Sequence, residues 1–308
     1  MSRYLATAAV LTAISTFTFV PGARAAEQCG VLYDDFHYTS SSDSAFTGNG
    51  WAARSGTGSP GVPGATWQPG NITFPTVDGQ QVAQLVASTD GTAGGTAHAE
   101  MYQAQQRFRE GTYASRVRFS DAPDSGADGD HINETYFTIS PLRYDRDPDY
   151  SELDFSEYLP NGGWGGSQAN YQTSWHTYWN SPTWGGQRIS TAQQRSFDGW
   201  HDLVTQVAGG HVKYYVDGQL TADHTVDADG NSVYPRTAMS INYNMWFIDT
   251  AGHSGGPSVY KEQIAWTYYA GNEVVSPADA TARADQYRSS GTHHVDTVRG
   301  CALTRSGR

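Results

Sequence analysis

An all-β fold, two antiparallel sheets packed as a sandwich or jelly roll with one concave face forming a cleft, is predicted by three observations on the sequence. Glycine and proline are frequent, 34 and 13 in 308 residues, so turns are many. Aromatic residues make up 13% and charged residues 16%, too few charges for a helical bundle and too many rings for a disordered chain. Short runs of alternating apolar and polar residues recur between turn residues, as half-buried strands require.

The chain opens with Arg3, an apolar run from Tyr4 to Val20, Pro21 and the small-residue stretch Ala23-Arg24-Ala25-Ala26. This pattern predicts a signal peptide over residues 1–25, cut near Ala25 or Ala26, and a secreted, extracellular protein. Thr and Ser interrupt the run, which argues against a membrane anchor, and no later segment is apolar enough to span a bilayer. The leader carries two arginines and no acid, so the exported chain is more acidic than the net charge of −12 for the whole. That balance repels polyphosphate and disfavours a nucleic-acid partner. Cys29 and Cys301 are the two cysteines, one near each end, and in an oxidising compartment they are expected to pair. No linker, repeat or charge run lies between them, so residues 26–308 are expected to form one domain, working as a monomer.

Strands are predicted at 81–87, 111–120, 135–139, 150–158, 201–207, 211–216 before the turn Asp217-Gly218, 238–247 and 261–269. The stretch 277–287, with Pro277 just after Ser276, is the one extended helix candidate, expected to pack on the outside.

Chemistry concentrates in Tyr150-Ser151-Glu152-Leu153-Asp154-Phe155-Ser156-Glu157-Tyr158. On a strand, residues two apart share a face, so Glu152 and Asp154 point one way and Leu153 and Phe155 toward the core. Glu157 breaks that parity. A β-bulge at Phe155-Ser156 turns it back beside the other two. Three acids on one face suit glycoside hydrolysis, in which a retaining mechanism pairs a carboxylate nucleophile with a carboxylic acid about 5–5.5 Å away. Strand positions four steps apart are about 13 Å apart at Cα, so the side chains must converge. Asp154 between them would tune a neighbour's pKa. An acidic edge strand, or calcium binding without the usual loop, are the alternatives these residues leave open.

Glu152-Leu153-Asp154-Phe155-Ser156-Glu157 resembles the Glu-x-Asp-x-x-Glu signature of glycoside hydrolase family 16, the laminarinase, lichenase and xyloglucan-transferase group. The strand 108–117, the pair Gly199-Trp200-His201-Asp202 and Tyr214-Tyr215-Val216-Asp217-Gly218, and Asn244-Met245-Trp246 are similar to further elements of that family, in the same order. The resemblance implies a concanavalin A-like jelly roll, with Glu152 as nucleophile, Asp154 as its assisting carboxylate and Glu157 as general acid/base. It also implies that Asn244 hydrogen-bonds a sugar hydroxyl and that Trp246 stacks beside it. Tyr150 stands where the family usually has Trp, and Asn133-Glu134-Thr135-Tyr136-Phe137 replaces a Trp-rich strand.

Rings stack on pyranose faces, which makes Trp175, Trp179, Tyr136 and Tyr158 further candidates for substrate binding. Trp164 and Trp184, each beside a glycine pair, are expected on rim loops. No His-x-x-x-His, closely spaced cysteine pair or phosphate loop is present, so no metal or cofactor is expected, and a structural calcium ion is not decided by sequence. The expected function is a secreted retaining endo-glycosidase acting on a polysaccharide, foremost a β-1,3 or β-1,3-1,4-glucan. A β-galactan hydrolase of the agarose or carrageenan type, or a glucan transglycosylase, are alternatives on the same fold. A non-catalytic carbohydrate-binding sandwich is the alternative of another class.

Overall fold

The computed structural model describes residues 30–298. The leader and both cysteines, Cys29 and Cys301, lie outside the described residues. Thirteen strands have four residues or more: β1 (Val31–Asp34), β2 (Ala83–Thr89), β3 (Ala97–Gln103), β4 (Gly111–Phe119), β5 (Ile132–Ile139), β6 (Glu152–Leu159), β7 (Ala169–Trp179), β8 (Gly185–Gln193), β9 (Gly199–Ala208), β10 (His211–Val216), β11 (Gln219–His224), β12 (Ser240–Phe247) and β13 (Ser258–Gly271).

They form two antiparallel layers. One runs β3-β12-β5-β6-β7-β8, with the short strand Trp51–Ala53 beside β3. The other runs β11-β10-β9-β4-β13, and the far edge of β13 is shared by β1 and β2. The layers meet where Ser88 pairs with Ala97. The predicted sandwich is therefore the fold, and each predicted strand is present, 211–216 with the same ends and the others with shifted ones.

Alternation explains the core. Leu153, Phe155 and Tyr158 of β6, Tyr136 of β5 and Ile241, Tyr243 and Met245 of β12 point inward, against Tyr113 and Val117 of β4, Leu203 of β9 and Ile264 of β13. Burying such side chains contributes about 1.5–3 kcal/mol each before chain entropy is subtracted. The helix Pro277–Ser289 lies on the outer face of the second layer, where Ala280 and Ala284 pack among Tyr33, Val204, Trp266 and Tyr268. Ser276 caps it, accepting the Asp279 N–H at 3.2 Å. Among the described residues no helix is long and apolar enough to cross a membrane.

β1, β3, β7, β8 and β11 are strands that apolar alternation did not reveal. In β7 the reason is explicit. Its inward positions are Asn170, Gln172 and Ser174, all buried, and its aromatic residues Tyr171 and Trp175 face the other way. Each of these side chains makes a hydrogen bond through its oxygen: Ser156 Oγ donates to Asn170 Oδ1 at 2.8 Å, Gln193 Nε2 donates to Gln172 Oε1 at 2.5 Å, and Ser174 Oγ lies 2.5 Å from Tyr214 Oη, while Asn170 Nδ2 and Gln172 Nε2 lack a partner in the described structure.

Candidate active site

The outward face of the first layer carries a cavity of about 1000 Å³, lined among others by Glu152, Asp154, Glu157, Trp175, Asn244 and Trp246. The three acids share this face because β6 is bulged. Against β7, Asp154 pairs with Thr173 and Glu157 with Tyr171, so Phe155 and Ser156 together oppose Gln172 alone. Against β5 the shift falls between Tyr136, paired with Ser156, and Phe137, paired with Asp154. Five residue steps from Glu152 to Glu157 therefore span four steps of the partner, Trp175 to Tyr171.

Each acid has its own surroundings. Tyr150, fully buried in the loop before β6, donates its hydroxyl to Glu152 Oε2. Trp175 Nε1 donates to Asp154 Oδ2 at 2.8 Å. Thr173 Oγ1 donates to Glu157 Oε2 at 3.2 Å and sits 3.0 Å from Ser190 Oγ. Burial raises all three pKa values. Glu152 is pushed up to about 8, against the Tyr150 hydrogen bond and with the Glu157 charge adding to the rise. Asp154 lies well above its ordinary value through burial and then the Glu152 charge, although the Trp175 N–H works the other way. Burial and then the Asp154 charge hold Glu157 well above the carboxylate range. Burial thus favours the protonated form along the row, and a carboxyl kept protonated is what a proton donor requires.

Strand register places aromatic groups at both ends of the row. Beyond Glu157, Trp164 lies 5.7 Å from Tyr171 and 6.3 Å from Trp246, centroid to centroid. Beyond Glu152, Trp175 lies 6.2 Å from both Tyr178 and Trp184. Trp164 and Trp184 are 45% and 58% exposed at the rim. Asn244 is fixed from below, its Oδ1 accepting Thr135 Oγ1 at 2.5 Å. Across the cleft Arg54 Nη1 pairs with Glu100 Oε2 at 2.8 Å.

Three sequence candidates are placed elsewhere. Tyr136 stacks on Tyr243 inside the sandwich, centroids 4.7 Å apart at 7°, and is 1% exposed. Tyr158 is fully buried beside Phe119 and Phe197 and donates to Asp121. Both follow the parity of the core positions, so neither reaches the cleft. Trp179 is not among the cleft-lining residues; the guanidinium carbon of Arg146 lies 3.4 Å from the centroid of its ring. A register shift between Trp175 and Thr177 separates it from the alternation that places Trp175. Sequence reading missed Tyr150 as a hydrogen-bond donor, Thr173, Arg188 and the Arg54–Glu100 pair. Thr173, Arg188 and Glu100 share the face of the acids, legible only once β7, β8 and β3 are recognised as strands, whereas Tyr150 and Arg54 lie outside these strands.

No protein-family model matches the chain, and no curated protein matches it. Solved structures do match in fold. The chain is similar to the Bacillus licheniformis β-glucanase at 17% identity and TM-score 0.55, over 79% of this chain and 99% of that one. A β-1,3-1,4-glucanase (lichenase) from a mouse hindgut metagenome matches at 18% and 0.52, over 78% and 98%. The catalytic domain of an endo-1,3-β-glucanase (laminarinase) from Thermotoga petrophila RKU-1 matches at 17% and 0.54, over 78% and 96%. At such identities the likeness is one of fold, the β-sandwich those enzymes share.

Proposed function

We propose that this protein is a secreted, retaining endo-glycosidase that cleaves a β-glucan with β-1,3 or mixed β-1,3-1,4 linkages. The observation that carries the reading is the bulged strand that sets Glu152, Asp154 and Glu157 side by side in a cleft flanked by indole rings. Fold likeness to a lichenase and a laminarinase supports the substrate class.

In this reading Glu157, protonated through burial, donates its proton to the glycosidic oxygen. Ionised Glu152 attacks the anomeric carbon; the bond to the leaving sugar breaks as the glycosyl–Glu152 ester forms. Glu157, now a carboxylate, takes a proton from water, which attacks the same carbon, frees Glu152 and restores the original configuration. Asp154, held by the Trp175 N–H, stabilises the charge on Glu152 as it departs from and returns to the free carboxylate. Attack on an internal segment of the polysaccharide is part of this reading. Export, the Cys29–Cys301 disulfide and a monomeric state belong to the same proposal.

Glu152→Gly tests it on laminarin, lichenan and a wider polysaccharide panel. Hydrolysis is expected to vanish, and added azide to restore turnover as a glycosyl azide of inverted configuration. Unchanged release of reducing sugar overturns the assignment. Because Glu152 must shed a proton raised to about 8, kcat/KM is expected to climb with pH along a limb between the ordinary 4.5 and about 8. A limb at or below the ordinary value sinks that role. Tight oligosaccharide binding without cleavage on long incubation would instead identify a carbohydrate-binding sandwich.

A further inference from the structure

We infer that Arg188 is a positioning residue of this cleft: seated on Trp175, it faces a cation toward the three carboxyls and holds the indole that bonds Asp154. The inference rests on the catalytic reading of those acids and deepens it.

Register supplies the first argument. Ile139, Glu152, Trp175 and Arg188 are successive partners across β5, β6, β7 and β8, so all four project from the cleft face in one row. The guanidinium carbon of Arg188 lies 4.5 Å from the Trp175 ring centroid and 5.2 Å from that of Trp184. A planar cation over two indoles is held by their negative faces. Space for this arrangement comes from Gly186, where an added Cβ would fall 2.4 Å from Trp175 Cζ3 and 3.4 Å from Arg188 Nη1. The ring so pinned is the one whose Nε1 reaches Asp154 at 2.8 Å.

Charge supplies the second. Of the two arginines lining the cleft, Arg54 is committed to Glu100, whereas Arg188 has no salt bridge among the described residues. Its field lowers the pKa of Glu152, Asp154 and Glu157 alike, against the burial that raises them. The other groups around the acids are phenols or carboxyls: Tyr150 on the approach to β6, Tyr171 and Tyr178 on β7, Tyr214 of β10 from beneath, and Glu100 of β3, neutralised by Arg54. β5 presents no titratable side chain to the cleft, since Thr135, Phe137 and Ile139 are the residues it turns that way. Without Arg188, proton retention by the whole row would be stronger and the nucleophile would ionise at higher pH.

Arg188→Gln and Arg188→Lys in the full chain test this by two readouts. Carbon-13 carboxyl NMR of Glu- and Asp-labelled protein, assigned with Glu152→Gln, Asp154→Asn and Glu157→Gln, follows the row directly. In Arg188→Gln the titration midpoints are expected to rise by about 0.5–1 pH unit, less at high salt because Arg188 is exposed; Arg188→Lys stays near the wild type. The acid limb of kcat/KM on laminarin or lichenan is expected to move equally, a loss of about three- to tenfold on the limb and under about twofold on the plateau. Unmoved midpoints overturn the inference, as does a plateau loss without a limb shift, which would make Arg188 a substrate contact. Shifted midpoints in a protein that cleaves no glycan leave Arg188 in its role and overturn the glycosidase reading instead.

Discussion

Two groups of carboxyls lie on opposite sides of the first layer, one opening on the cleft and one sealed inside the sandwich. Glu152, Asp154 and Glu157 line the cleft, each with a hydroxyl or indole donor and all within reach of the Arg188 field. Glu134 on β5 and Glu262 on β13 lie inside the sandwich, both 0% exposed, and Glu262 adds to the rise of the Glu134 pKa. Ser120 N–H reaches Glu134 Oε2 at 3.3 Å; Glu134 Oε1 and both oxygens of Glu262 lack a hydrogen-bond partner in the described structure. Burial holds both well above the ordinary carboxylate range and favours the neutral form of each among hydrocarbon and rings. A perturbed carboxyl therefore does not by itself mark a site; donors around it and an open face beside it do.

The widest separation between the two groups is expected in activity. Glu152→Gln and Glu157→Gln should lower kcat on the cleaved glucan by about a thousandfold or more, while Glu262→Gln leaves it within about twofold. Equal losses would erase the distinction. Next comes the donor network: Trp175→Phe keeps the ring, removes the N–H to Asp154, and should lower kcat/KM about tenfold. Melting temperature checks that the fold is intact.

Stability should separate the groups in the opposite sense. Glu262 has a folded pKa raised above its unfolded one, so its contribution is present below the unfolded value of about 4.5 and is lost as pH rises toward the folded value. Glu262→Gln carries no such loss. By urea unfolding the variant should match the wild type near pH 4 and exceed it at pH 7 by about 1–3 kcal/mol. A variant less stable at pH 7 would mean that the carboxyl is ionised and paired. The smallest effect belongs to Tyr136→Phe, which should leave KM within about twofold and stability within about 1 kcal/mol. A tenfold rise in KM would return Tyr136 to the cleft.

How much of this was legible in the sequence follows from what alternation can encode. β6 was readable because apolar Leu153 and Phe155 alternate with acids, and the bulge because Glu157 falls out of step. The inward strand faces of β12 were readable for the same reason. β7 was not, since its inward side is polar and its aromatic side faces the cleft. Arg188 was hidden with β8, where Ile189 and Ala192 fall on opposite faces and set no apolar alternation. Tyr136 and Tyr158 were misassigned because an aromatic ring suits a core as well as a sugar platform; position on the strand, not residue type, decides. The fold needed the pattern of many strands and was largely legible, whereas the site needed cross-strand neighbours, which no local pattern records.

The bulge at Phe155-Ser156 has a further consequence for how such a strand can change. Removing one of those two residues would leave Glu, Asp and Glu at even spacing, all still on the cleft side of a flat strand, with Tyr158 and Leu159 keeping their present faces. What changes is aim, because the second glutamate loses the local twist that now turns it toward Thr173. Insertion or deletion at this one point is thus a step between two foldable strands rather than a frameshift of inside and outside. The separation of the two glutamates is a quantity that a single-residue event can reset without dismantling the sandwich.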